Sequence, residues 1–271
     1  MSFNSKKQLT RFLAEDIGKG DITSALLDKK RITVTIISRE NAIVAGVQYA
    51  KEVFKIKGCS VKVLKKDGTK IKPNQTIMSI TGDAGKILTC ERTALNLLTR
   101  MSGIATQTNQ IVKKIPSKTK IYATRKTAPG LRYFDKEAVE IGGGKKHRLR
   151  LDEMVMIKDN HIAIEDSLLS LIKKAKKKYR KFEVEVENTQ DAILAAKEGA
   201  TIIMLDNFTP AQIKKTIQTL KDQKLRNNVL LEASGGINSK NIGKYGQTGV
   251  DIISVGSITN SVIGIDMSLE I

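Results

Sequence analysis

Six short apolar runs alternate with helical patterns after Gly103, and this rhythm constrains the fold more than any other feature of the chain. The runs are Thr119 to Ala123, Glu153 to Ile157, Phe182 to Val186, Thr201 to Leu205, Asn228 to Leu231 and Val250 to Val255. Short apolar runs separated by helical spacing are typical of buried parallel strands joined by helices. The sequence therefore predicts an α/β fold built from parallel β/α units.

Polar residues follow the apolar runs, and their positions favour a barrel over an open sheet. They are Arg125 and Lys126, Lys158, Glu185 and Glu187, Asp206, Glu232 and Ser234, and Gly256 and Ser257. In a (β/α) barrel the carboxyl ends of the strands meet at one mouth, and catalytic groups come from several strands. We therefore expect these residues to surround a single site.

The chain before Gly103 has a different pattern, which predicts a separate α+β domain over residues 1–103. Strand-like alternation is indicated at Ile32 to Ser38 and at Val61 to Leu64. A short helix is indicated at Ala50 to Lys57 and a longer helix at Ile87 to Leu98. The catalytic domain is expected over residues 104–263. The tail, residues 264–271, is expected to pack with the amino-terminal domain.

Cations and flexible backbone are concentrated in the middle of the chain. The segments are Thr124-Arg125-Lys126, Gly142-Gly143-Gly144, His147-Arg148 and Lys158-Asp159-Asn160-His161. Arginine offers a planar fork for carboxylates, and lysine offers a point charge for phosphates. Glycine lets backbone amides approach an anion closely. The sequence predicts a site for a substrate with several negative charges; the alternative is a solvated basic surface in a chain with 47 Lys and Arg residues.

Three glutamates alternate along one predicted strand. Residues two apart in a strand share a face, so we expect Glu183, Glu185 and Glu187 to point the same way, into the barrel or its mouth. Unpaired buried carboxylates are very costly. They would therefore meet cations, magnesium or ligand hydroxyls. The alternative is ion pairing with Lys126, Lys158 and neighbouring arginines for stability alone.

The ordered motifs resemble the quinolinate phosphoribosyltransferase family, the carboxylating nicotinate-nucleotide pyrophosphorylases. They are TRKTxPGLR from Thr124, GGGxxHR from Gly142 and IKDNH from Ile157, preceded by EDIGKGDIT and ERTALN and followed by EVEVEN, LDN, EASGGI and GVDIISVG. The resemblance covers nearly the whole chain. It implies a type II phosphoribosyltransferase fold, in which an incomplete (β/α) barrel carries an amino-terminal α/β sandwich domain.

The resemblance also implies a reaction and a set of residues. Quinolinate and phosphoribosyl pyrophosphate would give nicotinate mononucleotide, carbon dioxide and pyrophosphate in de novo NAD biosynthesis. The catalytic residues would be Lys126, Lys158, Glu185 and Asp206. The quinolinate pocket would contain Arg92, Thr124, Arg125, His147 and Arg148. We expect the cradle of the 5-phosphate at two strand-to-helix turns, formed by Ser234, Gly235, Gly236, Gly256 and Ser257.

Magnesium is expected to arrive with phosphoribosyl pyrophosphate and to be bound mainly through that substrate, with Glu185 and Asp206 as candidate protein ligands. The resemblance favours Glu185 for the ribose, whereas the spacing alone leaves Glu187 open. No organic cofactor is expected, because the ribosylated pyridine nitrogen itself stabilises a carbanion. We expect a homodimer or a dimer-based higher oligomer in which Arg92 enters the partner's site. Asn260 replaces a histidine that many members carry, so a phosphate contact there is open.

Composition favours a soluble cytoplasmic enzyme. No apolar run approaches the roughly 20 residues that a membrane helix needs, and no signal peptide is indicated. Cys59 and Cys90, with two histidines, predict neither a disulfide framework nor a zinc cluster. The net charge of +19 raises nucleic-acid binding as an alternative class, but aromatic residues are only 4% and the cations are scattered. A related phosphoribosyltransferase that acts on another base without decarboxylation is the alternative enzyme.

Overall fold

The computed structural model describes residues 4–165 and 167–271, which divide into two compact units. The first unit contains the described residues up to Asn109 together with Pro129–Gly143 and Ser261–Ile271. The second unit contains Gln110–Ala128 and Gly144–Asn260. The predicted domain boundary between residues 103 and 104 stays a prediction.

The helices and strands follow one another along the chain in a mixed order. The helices are α1 (Ser5–Ile17), α2 (Val47–Ile56), α3 (Ala84–Val112), α4 (Arg132–Ile141), α5 (Asp159–Glu165), α6 (Leu168–Lys178), α7 (Thr189–Glu198), α8 (Pro210–Asp222), α9 (Ile242–Gly246) and α10 (Ser257–Asn260). The strands are β1 (Arg31–Ser38), β2 (Ala42–Ile43), β3 (Ser60–Val63), β4 (Lys70–Ile71), β5 (Thr76–Asp83), β6 (Lys120–Ala123), β7 (Val155–Ile157), β8 (Phe182–Val186), β9 (Ile202–Asp206), β10 (Leu230–Ser234), β11 (Ile252–Val255) and β12 (Met267–Glu270). Single 3₁₀ turns lie at Ser24–Leu26 and Arg226–Asn228.

The first unit is built on an antiparallel sheet with the strand order β12-β1-β5-β3. In β1 the side chains of Val34 and Ile36 are buried, whereas Thr33 is exposed. This alternation is that of a sheet with one face in a core. The last strand brings the end of the chain to the sheet, because Met267 lies opposite Ser38 in the β1–β12 register.

The helix α3 runs without a break through Gly103, the residue at which the sequence rhythm changes. Gly103 lies at a close backbone approach: a Cβ atom there would lie 2.1 Å from the carbonyl oxygen of Ile263. No side chain fits at that distance, so glycine allows the carboxyl-terminal segment to cross the helix. The glycine therefore marks a packing contact within the first unit and not a helix end.

The second unit is built on a six-stranded parallel sheet with the order β6-β11-β10-β9-β8-β7. The two strands of this sheet that come first in the chain, β6 and β7, are its two edges, and this is the order of a barrel opened between them. A parallel bridge from Tyr122 to Lys145 adds a short pairing at the outer edge of β6. Each of the six predicted runs overlaps one of these strands. The predicted α/β fold with an incomplete barrel is confirmed.

The parallel strands are apolar because helices or the interior cover them. All of Ile252–Val255 in β11 is buried, so this strand shows no alternation. Each fully buried Val, Leu or Ile contributes about 1.5–3 kcal/mol of transfer free energy. The following helices begin at sequence-coded caps; at α8, Thr209 and Gln212 form a reciprocal capping box and Pro210 occupies the first turn. Among the described residues, no helix combines the length and apolar character needed to cross a membrane.

Candidate active site

A cavity of about 360 Å³ lies at the carboxyl ends of the parallel strands in the second unit. Nine predicted site residues line it: Thr124, Arg125, Lys126, His147, Arg148, Lys158, Glu185, Asp206 and Ser234. A larger cavity, of about 460 Å³, belongs to the first unit. Its lining has Arg100 as its one cation beside Glu15 and Asp16, and Arg100 forms a two-point ion pair with buried Asp135. The charge needed for an anionic substrate is therefore in the smaller cavity.

Two arginines stand in the cavity, and both have ordered surroundings. Arg148 donates from Nη1 to the carbonyl oxygen of Met154 at 2.8 Å and from Nη2 to the sulfur of Met156 at 3.3 Å. Burial lowers the pKa of Arg148, and the nearby charge of Arg125 lowers the pKa further. The Nε atom of Arg125 is buried without a hydrogen-bond acceptor among residues 4–165 and 167–271. Two close guanidinium groups in one cavity favour an anion between them.

Lys158 and Glu185 form an ion pair across neighbouring strands. The two residues meet because of the strand register. Ile157 of β7 lies opposite Val184 of β8, and Lys158 and Glu185 are the residues that follow them. Lys158 is about one-third exposed and Glu185 is mostly buried, so the lysine lies nearer the opening. This pairing matches the structural alternative for Lys158, and both groups also line the cavity.

The prediction that three glutamates share one face is wrong for Glu187. The strand β8 ends at Val186, and Glu187 lies in an exposed bend that follows it. The cause is the next helix: the side chain of Asn188 caps α7 by accepting the N–H of Asp191, and this turns the chain out of the strand. Glu187 is therefore outside the cavity lining, whereas Glu185 is in it.

The third glutamate, Glu183, belongs to a buried cluster beneath the cavity opening. The Nε2 atom of His147 lies 3.2 Å from a carboxylate oxygen of Glu183 and 3.7 Å from one of Glu232. Both carboxylates have no solvent exposure. Ser254 donates its hydroxyl to the other oxygen of Glu232 at 2.5 Å, and the ring of Tyr122 packs edge-on against the imidazole.

The cluster changes the proton affinity of its members. Burial alone would lower the pKa of His147, but the close carboxylates of Glu183 and Glu232 favour the charged ring and raise the pKa to about 9. Burial raises the pKa of Glu183. The Nδ1 atom of His147 accepts the backbone N–H of Arg148 at 2.7 Å. When the ring is neutral, this acceptor role of Nδ1 leaves its single proton on Nε2, the nitrogen that faces the carboxylates.

Two sets of residues could hold a cation. Nε2 of His147 and the carboxylates of Glu183 and Glu232 offer donor atoms within 4.8 Å of one another. Glu185 and Asp206 offer hard carboxylate oxygens in the cavity lining, the ligand type that magnesium prefers. Asp206 also accepts a hydrogen bond from the side chain of Asn207 at 2.8 Å.

The glycines of the predicted phosphate cradle lie in the turns that follow β10 and β11. Gly235 has φ of +90°, and a Cβ atom there would lie 2.2 Å from the side-chain oxygen of Asn207, so only glycine fits. Gly236 also has positive φ and faces open space. These residues follow Ser234, which lines the cavity, although they are not in the lining themselves.

The turn after β11 approaches the cavity lysine. A Cβ atom on Gly256 would lie 3.2 Å from Cδ of Lys126 and 3.6 Å from Oγ1 of Thr124. The hydroxyl of Ser257 is buried and has no hydrogen-bond partner in the part of the chain that the structure describes. The same turn is tied to the β6 end, because Thr259 donates its hydroxyl to the carbonyl oxygen of Lys126 at 2.8 Å.

Some residues differ from the predicted set. Four lining residues were not predicted to surround the site: Ala123, Met156, Met204 and Ser254. Each of them lies inside an apolar run, so the sequence does not distinguish it from a core residue. Glu232 was expected at the mouth because it follows such a run, but it was given no role there. Arg92 lies exposed on α3 in the first unit and is not in the lining. Its role stays a prediction about a second copy of the chain.

A parallel α/β sheet with charged groups gathered at the carboxyl ends of its strands defines an enzyme of the barrel class. The family model described as the carboxyl-terminal domain of quinolinate phosphoribosyl transferase matches residues 104–270, and the model of the amino-terminal domain matches residues 21–102. The chain belongs to the quinolinate phosphoribosyl transferase family.

Individual proteins show the same similarity over the full length. A probable carboxylating nicotinate-nucleotide pyrophosphorylase from Methanothermobacter thermautotrophicus is 44% identical over 271 residues, covering 97% of each chain. The solved nicotinate-nucleotide pyrophosphorylase from Francisella tularensis is 39% identical with a TM-score of 0.91, covering 98% of this chain and 95% of the other. The one from Ehrlichia chaffeensis is 36% identical with a TM-score of 0.93, covering 100% and 99%.

Proposed function

We propose that the protein transfers the phosphoribosyl group of phosphoribosyl pyrophosphate to the nitrogen of quinolinate and releases carbon dioxide and pyrophosphate, giving nicotinate mononucleotide. The observation that carries this proposal is the cavity itself. It gathers Arg125, Arg148 and Lys158 with Glu185 and Asp206 in a chain of this family. Two anionic substrates and a ribose need cations and carboxylates together, and this reaction uses both.

Quinolinate carries two adjacent carboxylates, and the paired guanidinium groups suit them. Arg125 and Arg148 each offer a planar group with several N–H donors. The Nε of Arg125 has no acceptor among the described residues, so it can donate to a bound carboxylate. Thr124 and His147 also line the cavity. We assign these residues to quinolinate.

Phosphoribosyl pyrophosphate is assigned to the other cations and to the cavity carboxylates. Lys126 and Lys158 would face its phosphates, while Glu185 and Asp206 would accept hydrogen bonds from the ribose hydroxyls. Magnesium bound with the pyrophosphate would neutralise charge on the leaving group. The 5-phosphate would meet the turns of Ser234, Gly235, Gly236, Gly256 and Ser257, where turn amides can donate to an anion and where the Ser257 hydroxyl has no partner among the described residues.

The chemistry then follows from charge. As pyrophosphate leaves, positive charge develops on the ribose and negative charge on the leaving group, and Lys126 and Lys158 stabilise the latter. The pyridine nitrogen attacks the anomeric carbon and becomes cationic. The adjacent carboxylate then leaves as carbon dioxide, and its bonding electrons stay on the ring carbon, stabilised by the cationic nitrogen. A proton adds to that carbon. No organic cofactor takes part in this scheme.

We also propose that the active enzyme is a cytoplasmic homodimer or a dimer-based oligomer with shared sites. Arg92 is exposed on α3. In a dimer it would extend from one protomer toward the quinolinate pocket of its partner and add a third guanidinium group. Covering the cavity would exclude water and strengthen each charged contact.

The test is incubation with quinolinate, phosphoribosyl pyrophosphate and magnesium while nicotinate mononucleotide is measured. We expect product only when all three are present, and we expect nicotinate not to replace quinolinate. Equal turnover of nicotinate would support the related enzyme that acts without decarboxylation. Tight, salt-sensitive binding of nucleic acid without turnover would contradict the enzyme assignment.

A further inference from the structure

The buried cluster of His147, Glu183 and Glu232 is costly for a group that does no more than stabilise the fold. Both carboxylate oxygens of Glu183 and one of Glu232 accept no hydrogen bond from any described residue. Burying a carboxylate costs several kcal/mol even after relaxation, and apolar side chains of similar volume often stabilise as well or better. The cluster therefore needs an explanation beyond stability.

The histidine connects the buried carboxylates to the quinolinate pocket. Its Nε2 atom faces Glu183 and Glu232, and its Nδ1 atom accepts the backbone N–H of Arg148. Its backbone has φ of +49°, a left-handed conformation that is strained for a residue other than glycine. Tyr122 supports the ring edge-on. Contacts on several sides thus maintain a strained residue immediately before Arg148.

The position of Arg148 depends on that residue. Its backbone N–H is directed at the imidazole, and its guanidinium group is directed by the carbonyl oxygen of Met154 and the sulfur of Met156. The buried negative charge also matters, because Glu183 favours the charged form of Arg148 against the repulsion from Arg125. Loss of the carboxylates would release the imidazole and remove the charge of Glu183 that favours the charged form of Arg148.

We propose that Glu183 and Glu232 are positioning residues for quinolinate: they fix the ring of His147, and through it the backbone and guanidinium group of Arg148. This inference rests on the proposed assignment of Arg148 to quinolinate. Glu183 lies outside the cavity lining, whereas Glu232 contributes to the lining beside the histidine. They act through the histidine, and their removal changes binding of one substrate and not of the other.

The test is steady-state kinetics of Glu183→Gln and Glu232→Gln, which keep the side-chain shape and remove the charge. We expect the KM for quinolinate to rise about tenfold, equivalent to about 1.4 kcal/mol, with the KM for phosphoribosyl pyrophosphate changed less than about twofold. Thr119→Val is the matched control, because it removes a buried hydrogen bond to the carbonyl oxygen of Val250 in the same unit without touching the cluster. It should lower the melting temperature and leave both KM values unchanged.

A second measurement keeps the proposal testable if one variant folds poorly. The chain has two histidines, so ring-nitrogen NMR of His147 can be assigned by comparison with His161→Asn. We expect Glu232→Gln to shift the Nε2 resonance of His147 and the backbone amide of Arg148 together. Unchanged resonances, or equal rises in both KM values, would overturn the proposal.

Two further outcomes separate the positioning role from a metal site and from a failure of the proposed function. One equivalent of a transition metal in the purified protein, lost in Glu183→Gln, would replace the positioning role with a metal site. If the wild-type protein did not turn over quinolinate, the proposed function itself would be refuted. If the wild-type protein turned over quinolinate and both glutamine variants kept its KM for quinolinate, only the positioning role would be refuted.

Discussion

Replacing Arg148 by lysine separates shape from charge in the proposed quinolinate pocket. The substitution keeps one positive charge but removes the planar fork that can meet a carboxylate with two parallel hydrogen bonds. In the structure the fork is already directed, because Met154 and Met156 each accept from a different terminal nitrogen. A lysine ammonium has one nitrogen and cannot keep both contacts while it also reaches the ligand.

The expected magnitude follows from the contacts that are lost. One hydrogen bond to a charged group contributes about 1.5–3 kcal/mol. The charge remains, so the long-range attraction remains. The dissociation constant for quinolinate should therefore rise roughly 10- to 150-fold. The dissociation constant for phosphoribosyl pyrophosphate should change less than about twofold, because its assigned lysines are untouched.

Equilibrium titration calorimetry with each ligand measures both constants. Arg150→Lys is the matched control, because Arg150 is exposed, pairs with Asp152, and lies two residues from the pocket arginine. It should change neither constant. Lys158→Ala should give the reverse pattern, weakening phosphoribosyl pyrophosphate and sparing quinolinate. If Arg148→Lys and Lys158→Ala weakened both ligands equally, the division of the cavity between two substrates would be refuted.

Two more predictions test the dimer and the buried cluster. Mixing inactive Arg92→Ala with inactive Lys158→Ala chains should restore activity, because a mixed dimer with shared sites has one intact site; confirmed mixed dimers without activity would place Arg92 elsewhere. The pKa of His147 is raised from 6.5 to about 9, so the folded state retains a proton that the unfolded state loses. Its stabilisation is full below pH 6.5 and is lost as pH rises through 9. In chemical denaturation the difference between wild type and His147→Asn should fall by at most about 3 kcal/mol over that window, and a pH-independent difference would contradict this.

The parallel strands could be predicted from sequence because their apolar runs are local signals. The ends of the strands could not always be predicted. The run at Asn228 to Leu231 predicted the strand that the structure places at Leu230–Ser234. A 3₁₀ turn occupies Arg226–Asn228, and the strand continues to Ser234 because it pairs with β9 as far as Asp206. Within it the buried carboxylate of Glu232 meets Ser254 and His147. Those contacts join residues far apart in the sequence, so a local pattern does not contain them.

The candidate site shows the same division. The cations that line the cavity were predicted, since charges that follow apolar runs are visible in the sequence. The misplacement of Glu187 had a local signal that was overlooked: Asn188 followed by Asp191 is a typical helix start, and it ends the strand before Glu187. Glu183 is different. Its burial depends on the three-dimensional meeting of β8, β10 and the segment that carries His147, which no spacing along one strand reveals.

The strand β8 carries two glutamates that should have different functions. Glu183 and Glu185 share one face, about 7 Å apart along the strand; the first is fully buried beside His147, and the second pairs with Lys158 in the cavity. Glu185→Gln should therefore raise the KM for phosphoribosyl pyrophosphate, because the ribose loses a charged acceptor and Lys158 loses its partner. Glu183→Gln should raise the KM for quinolinate. Kinetics of the two variants compare the same substitution at a fully buried position and at a cavity position of one strand. If both variants raised the KM for the same substrate, the two positions would not belong to separate binding regions, and the assignment of Glu185 to the ribose would have to be abandoned.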